Sequence, residues 1–180
     1  LNSAFKHKGI FFSLVRLSIP NNRRIQLGCG IVFTPGMPFN QMIMFPTELS
    51  LRTNNEGIRL SCEPTKEIRT LYKREHKLTD IKMSDTNKRD LLSDIEDELG
   101  ELLHIKAEFE IGATKSYGVF GFIINGYEIE YDLRHNLLND AFLDVEDGKI
   151  YLEILVDRTS LEVFSNHGRL YLSDAHFPGD

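Results

Sequence analysis

The sequence predicts an all-β chain, an antiparallel β-sandwich preceded by one smaller antiparallel sheet. Three observations carry that expectation. Short apolar runs rich in Val, Ile, Phe and Tyr recur along the chain. Turn-forming residues separate them about every 8–12 positions, the spacing of a sandwich. Only residues 91–100 show a helical pattern, with Ser93 as its cap before Ile95, Glu96 and Leu99.

The first apolar run, residues 10–19, ends at Pro20 and the turn Asn21-Asn22. Arg23 to Ile31 resumes an extended pattern as far as Thr34-Pro35-Gly36. Residues 42–52 alternate loosely through Met42, Met44, Thr47, Leu49 and Leu51. Asn54-Asn55-Glu56-Gly57 then turns the chain into Ile58, Leu60 and Cys62, and Pro64 closes the unit. Short strands joined by tight turns in this way predict a single antiparallel sheet. Residues 65–90 carry Lys66, Glu67, Lys73, Arg74, Glu75, Lys77, Asp80 and Lys82 with few apolar anchors, so they read as a linker or solvated surface. The boundary falls near residue 70, which divides the chain into units 1–70 and 71–180.

Strand patterns return at Leu102–Ile111 and Tyr117–Ile124, and Asn125-Gly126 is a hairpin turn that needs positive φ. After it Tyr127, Ile129 and Tyr131 alternate with Glu128, Glu130 and Asp132. Successive side chains of a strand point to opposite faces, so this is a half-buried strand with its acids in water. Asp147-Gly148 leads into Ile150–Val156. Leu161, Val163 and Phe164 follow, Asn166-His167-Gly168 turns again, and Leu170–Leu172 forms the last strand.

Composition excludes several functions. The net charge is −6, from 21 basic and 27 acidic residues, and the basic groups form no face that could follow a phosphate backbone. Nucleic acid is therefore not an expected partner. Lys6 with Lys8 and Lys73 with Arg74 are placed in loops as solvated charge. Cys29 and Cys62 are too few for a disulfide framework or a zinc site, and read as buried free thiols, with one bridge as the alternative. The histidines are scattered singly, so neither metal nor cofactor is expected. Lys6-His7-Lys8 before Ile10–Val15 superficially resembles the start of a signal peptide, but Arg16 interrupts the apolar run and a strand reading is preferred. No run approaches the ~20 apolar residues of a membrane-spanning helix, so no membrane partner is expected and the localisation stays open.

Four groups of residues invite a functional reading. Glu128 and Glu130 stand about 6.6 Å apart on one strand face, a separation that suits an inverting glycosidase pair; strand alternation alone already explains them. Asp157-Arg158-Thr159-Ser160 could be a catalytic cluster, and reads more simply as a tight turn in which Asp157 caps nearby amides and Arg158 pairs with a carboxylate. Tyr117, Phe120, Phe122, Tyr127 and Tyr131 could stack on a sugar, although sandwich aromatics are mostly core. Asp94, Glu96, Asp97, Glu98 and Glu101 are dense enough for calcium but lack EF-hand spacing, and are expected to be a solvated acidic turn.

The wording of several segments adds a family resemblance. Arg23-Arg24-Ile25-Gln26-Leu27-Gly28, Gly36-Met37-Pro38-Phe39-Asn40-Gln41 and Phe45-Pro46-Thr47-Glu48-Leu49-Ser50-Leu51-Arg52 are followed by Gly57-Ile58-Arg59-Leu60, Glu63-Pro64 and Lys66-Glu67-Ile68. Further on come Gly100-Glu101-Leu102-Leu103, Ala107-Glu108-Phe109-Glu110 and Leu155-Val156-Asp157-Arg158-Thr159-Ser160-Leu161-Glu162-Val163-Phe164, then Asn166 and Gly168. In this order the segments resemble the last propeller blade and the following β-sandwich of glycoside hydrolase family 32, the β-fructosidases of the levanase, inulinase and invertase type. The Asp157–Phe164 stretch is the most specific of them.

The resemblance implies a five-bladed propeller followed by a two-sheet sandwich, with retaining hydrolysis by a carboxylate nucleophile and a carboxylic acid/base. It also implies where the catalytic groups should lie: Asn-Asp-Pro, Arg-Asp-Pro and Glu-Cys segments. None occurs in this sequence; Lys88-Arg89-Asp90 runs on into Leu91, and Cys62-Glu63 has the reverse order. Cys29 stands where the family commonly has a tryptophan, and the chain has no tryptophan. The expectation is therefore one propeller-blade-like sheet and a sandwich short of its final strands. No catalytic residue is assigned, and the substrate-binding residues are left unknown. The role expected is structural or accessory; the alternatives are a stand-alone fructan-binding module or one part of a split glycosidase completed by a separate propeller chain. Open strand edges make a homodimer the expected assembly, and carbohydrate is expected to bind weakly at most.

Overall fold

The computed structural model describes residues 5–8, 11–19, 22–32, 36, 38–54, 57–83, 90, 91, 93, 100, 102–112 and 117–175. Among them the chain is almost entirely strand, arranged as three sheets. The N-terminal sheet runs in the order β2 (Phe11–Ile19), β3 (Arg23–Ile31), β5 (Thr47–Asn54), β6 (Gly57–Pro64), with β4 (Gln41–Ile43) also paired to β3. All its pairings are antiparallel, as the tight turns require. The turns are local features of the sequence: Asn22 has φ 59° before β3, and Gly57 has φ 99° after β5.

The other two sheets form the sandwich. One has the order β1 (Phe5–Lys8), β14 (Leu170–Ala175), β13 (Ser160–Ser165), β12 (Lys149–Val156), β7 (Leu103–Glu110). The other has the order β11 (Ala141–Phe142), β10 (Leu137–Leu138), β9 (Tyr127–Asp132), β8 (Val119–Ile124). Asn125 and Gly126, with φ 50° and 82°, make the two-residue turn between β8 and β9 whose twist matches the flanking strands. Asp147 and Gly148, with φ 49° and 76°, turn the chain into β12.

The alternation of β9 sets the sandwich core. Ile129 and Tyr131 are fully buried, while Glu128 and Glu130 point into water. Across the gap Ile150, Leu152, Ile154 and Val156 of β12 meet them, joined by Leu161 and Val163 of β13 and Leu170 and Leu172 of β14. Phe109, Phe120 and Phe122 fill the side of this core, with Phe109 and Phe120 rings 4.6 Å apart. Burying each such side chain contributes roughly 1.5–3 kcal/mol, which is what drives the two sheets together.

The five-stranded sheet is covered on its second face as well. Leu155, Phe164 and Tyr171 point away from the sandwich core and are buried against Cys62 and Ile68 of the N-terminal part, with Phe45 and Leu49 beside them. All six residues of β13 are consequently buried. The sheet that contains β13 thus lies between the four-stranded sheet and the N-terminal part.

Several expectations change here. Lys6 and Lys8 do not lie in a loop: β1 spans Phe5–Lys8 and pairs in parallel with β14, Phe5 opposite Tyr171. The short strands β10 and β11 and the 3-10 helix Lys66–Leu71 were not visible as patterns. Ile68 of that helix is buried, so the charged stretch after Pro64 is anchored at its start. Beyond it, residues 73–80 are exposed and without regular structure. Most of the helical pattern at 91–100, including Ile95, Glu96 and Leu99, lies outside the described residues, as do Asp94, Asp97, Glu98 and Glu101.

Candidate functional site

The contact between the N-terminal sheet and the sandwich combines apolar packing with hydrogen bonds from both parts. Strand periodicity builds it. On β13, Leu161 and Val163 face the sandwich core, so Glu162 and Phe164 must face the other way; on β14 the same rule turns Tyr171 and Ser173 outward. Phe164 and Tyr171 stack, with ring centroids 4.7 Å apart and planes 19° from parallel.

Glu162 sits in this apolar layer with 0% exposure. Its Oε1 accepts from the backbone N–H of Phe45 at 2.9 Å, and its Oε2 accepts from the Tyr171 hydroxyl at 2.6 Å. One bond therefore comes from the N-terminal part and one from the sandwich. Burial pushes the carboxyl up to about 7, against the pull of these two donors. An unfilled hydrogen-bonding group here would cost more than the bond itself contributes, so both donors are structurally required.

A backbone contact lies nearby. The Cys62 N–H donates to the Gly168 carbonyl at 2.9 Å, and Ser61 Oγ donates to the His167 carbonyl at 2.5 Å. Burial raises the Cys62 thiol to about 11, so it is an inert packing group. Both cysteines are free thiols; Cys62 is buried, whereas Cys29 is only partly so.

A second polar cluster fixes the linker. His104 on β7 bonds the Tyr72 hydroxyl through Nδ1 and Glu153 Oε1 through Nε2, the latter at 2.7 Å. Lys106 Nζ lies 2.9 Å from the same carboxylate oxygen. Burial pushes Glu153 upward, but the bonds from His104 and Lys106 outweigh it and hold the carboxyl below its usual range. Within the N-terminal part, Arg23 bridges Glu48 of β5 and Glu67 of the 3-10 helix. These pairs carry the chain from the outer sheet onto the sandwich.

The residues singled out in the sequence fall elsewhere. Glu128 and Glu130 lie on the outer face of the four-stranded sheet, where with Val119, Tyr127, Asp132, Asn139 and Asp140 they line an open depression of about 510 Å³. The Asn139 side chain is occupied with the backbone, accepting from the Glu130 N–H at 2.9 Å. Both glutamates are exposed on that outer face, as strand alternation requires. Phe120, Phe122 and Tyr131 belong to the core, and the Tyr131 hydroxyl donates to the Leu143 carbonyl at 2.8 Å. Tyr127 is partly buried, and burial pushes its phenol up to about 12. Tyr117 alone of the five stands out in water, 80% exposed, with the Arg134 guanidinium 5.8 Å from its ring centre.

Asp157–Ser160 is a turn. Asp157 Oδ1 accepts from the Arg158 N–H at 2.7 Å, and the Asp157 N–H donates to the Ser160 carbonyl at 2.9 Å. Its Thr159 hydroxyl approaches Met42 Sδ at 3.6 Å, so the turn also touches the N-terminal sheet. Among the described residues no three His, Cys, Asp or Glu side chains converge as metal ligands. The junction residues Glu162, Tyr171 and Gly168 carried no functional reading in the sequence. The available signal was Val163-Phe164: two large apolar side chains on opposite phases of one strand mean that both faces are covered.

The comparisons with known proteins agree with this architecture. The family model described as "Glycosyl hydrolases family 32 C terminal" matches residues 131–180. A levanase of Bacillus subtilis (strain 168) is 29% identical over 169 residues, covering 80% of this chain and 24% of the levanase. A levanase of Bacillus sp. (strain L7) is 28% identical over 201 residues, covering 95% of this chain and 21% of its own length. The chain thus spans about a quarter of the length of these curated relatives. In fold it is similar to an exo-inulinase of Aspergillus awamori, with a TM-score of 0.69 at 18% identity, covering 94% of this chain and 38% of that one. Most of this chain is thus similar to levanases, and its residues 131–180 match the C-terminal model of glycosyl hydrolase family 32.

Proposed function

We propose that the chain is a non-catalytic, structural part of a family 32 glycoside hydrolase, a β-fructosidase acting on fructans or sucrose. Its work is to seat the sheet β2–β6 rigidly on a sandwich. The observation that carries this reading is the doubly covered β13, buried along all six residues, with Glu162 bonded to both sides of the junction. Such burial invests the most specific stretch of the sequence in holding two units together. The substrate class comes from the levanases it resembles, and the sequence supports the non-catalytic role because these 180 residues contain no Asn-Asp-Pro, Arg-Asp-Pro or Glu-Cys segment. Incubated with levan, inulin or sucrose, the purified chain is expected to release no fructose above a blank; release at the rate of a competent fructosidase would overturn the reading.

A second reading is a fructan-binding module, favoured by the exposed ring of Tyr117 and, separately, by the open depression that Val119, Tyr127 and Asp132 line. Calorimetry with levan oligosaccharides separates the two. The structural role expects no strong binding, whereas micromolar binding abolished by Tyr117→Ala would establish the module.

A further inference from the structure

We propose that Glu162 makes the seating of the N-terminal sheet dependent on protonation: tight while its carboxyl is neutral, loosened when it ionises. The inference rests on the proposed role of the junction and adds a regulation to it.

The geometry comes first. Glu162 is fully buried; one of its hydrogen bonds crosses the junction to the Phe45 amide on the connection between β4 and β5, and the other stays within the sandwich, to Tyr171 on β14. No cationic side chain among the described residues pairs with it. Cys62 faces it from β6, and Asp157, at the end of β12, adds a like charge that disfavours ionisation. Leu155 of β12, Phe164 of β13, Leu49 of β5 and Ile68 of the 3-10 helix contribute apolar side chains. A carboxylate here would be a buried charge balanced by two neutral donors alone, an arrangement that burial penalises strongly.

The neutral form has a complete set of partners. Protonated on Oε2, Glu162 donates to the Tyr171 oxygen, with the Ser173 side chain beside it on the same face of β14. Oε1 keeps the Phe45 amide. Ionisation removes the proton from this chain and leaves the negative charge between the two layers. Relief comes from water, which reaches the carboxylate only if the loop carrying Phe45 lifts away.

The sign follows from the direction of the shift. Burial raises the folded-state carboxyl to about 7, from 4.5 in an unfolded chain. The stabilisation is complete below pH 4.5, falls as pH rises and is lost above about 7. Between pH 5 and 7 this one group should lower the folded-to-unfolded ratio roughly fortyfold.

The test follows the Phe45 amide of the whole chain by NMR from pH 5 to 8.5, together with urea unfolding of the wild type and of Glu162→Gln. The expected result is a Phe45 titration with a midpoint near 7 and faster amide exchange above it than its intrinsic pH dependence explains. Glu162→Gln, which cannot ionise, should match the wild type at pH 5 and exceed it at pH 8. If Glu162→Gln does not fold, the wild-type Phe45 titration decides alone. A Phe45 amide protected at every pH, with no midpoint in the range, overturns the latch and leaves the structural role standing. An amide unprotected even at pH 5 overturns both.

Discussion

The Cys62 amide on β6 donates to the Gly168 carbonyl at 2.9 Å, in the turn that joins β13 to β14. Only glycine fits at that turn. Gly168 has φ 77°, and a Cβ built on it would lie 2.3 Å from the Cys62 oxygen and 2.7 Å from the Cys62 nitrogen. The edge of the N-terminal sheet therefore approaches the sandwich backbone to backbone, a closeness that any side chain would block.

Gly168→Ala should accordingly destabilise the chain by about 1–3 kcal/mol, the combined effect of strained φ and a displaced β6. Urea unfolding measures the loss. In a Cys29→Ser background, Cys62 should also react faster with a thiol reagent, because the displaced strand uncovers it. Unchanged stability and unchanged labelling would mean that the two backbones are not pressed together.

Tyr131→Phe tests the sandwich core separately. The Tyr131 hydroxyl donates to the Leu143 carbonyl inside a core where both residues have 0% exposure. Removing it leaves a buried carbonyl without that donor and should cost about 1–3 kcal/mol. The thermal midpoint should fall, while Cys62 labelling in the native state stays slow.

Glu128→Gln and Glu130→Gln should each change stability by less than about 0.5 kcal/mol, since both side chains are exposed on the outer face of their sheet. Neither substitution should alter fructose release from levan, which is expected to stay at the blank level. Activity lost with either glutamate would restore the catalytic pair that their spacing suggests.

Assembly is a further expectation. Leu51 and Ile58 project from one face of the β5–β6 hairpin, 72% and 65% exposed, past the area that the sandwich covers. Uncovered apolar residues on a strand pair favour self-association, and a closed pair is the commonest outcome. Light scattering should give twice the 20.7 kDa of one chain, reduced to a single mass by Leu51→Lys. A concentration-independent single mass for the wild type would remove the dimer.

How much of this was legible in the sequence depended on distance along the chain. Asn125-Gly126 and Asp147-Gly148 declared their turns because the required φ values are a local property of those residues. The alternation of Tyr127, Ile129 and Tyr131 likewise gave β9 its inner face. β10 and β11 escaped because two-residue strands have no periodicity to read. The pairing of β1 with β14 joins Phe5 to Tyr171, and nothing near either residue announces the other. Glu162 was missed for a different reason. Alternation assigns an acid to a wet face, but here a second sheet covers that face, and only the position of Phe164 beside Val163 hinted at it.

Native-state hydrogen exchange tests the central claim most directly, that the N-terminal sheet and the sandwich are held as one structural unit. The Cys62 amide bonds to Gly168 across the junction, the Phe45 amide bonds to Glu162, and the Asn166 amide bonds to Tyr151 within the sandwich. At pH 5 the three should exchange with the same free energy of opening, equal to that of global unfolding. Cys62 and Phe45 exchanging at much lower free energy than Asn166 would show a sheet that comes away while the sandwich stays folded, and would contradict the account.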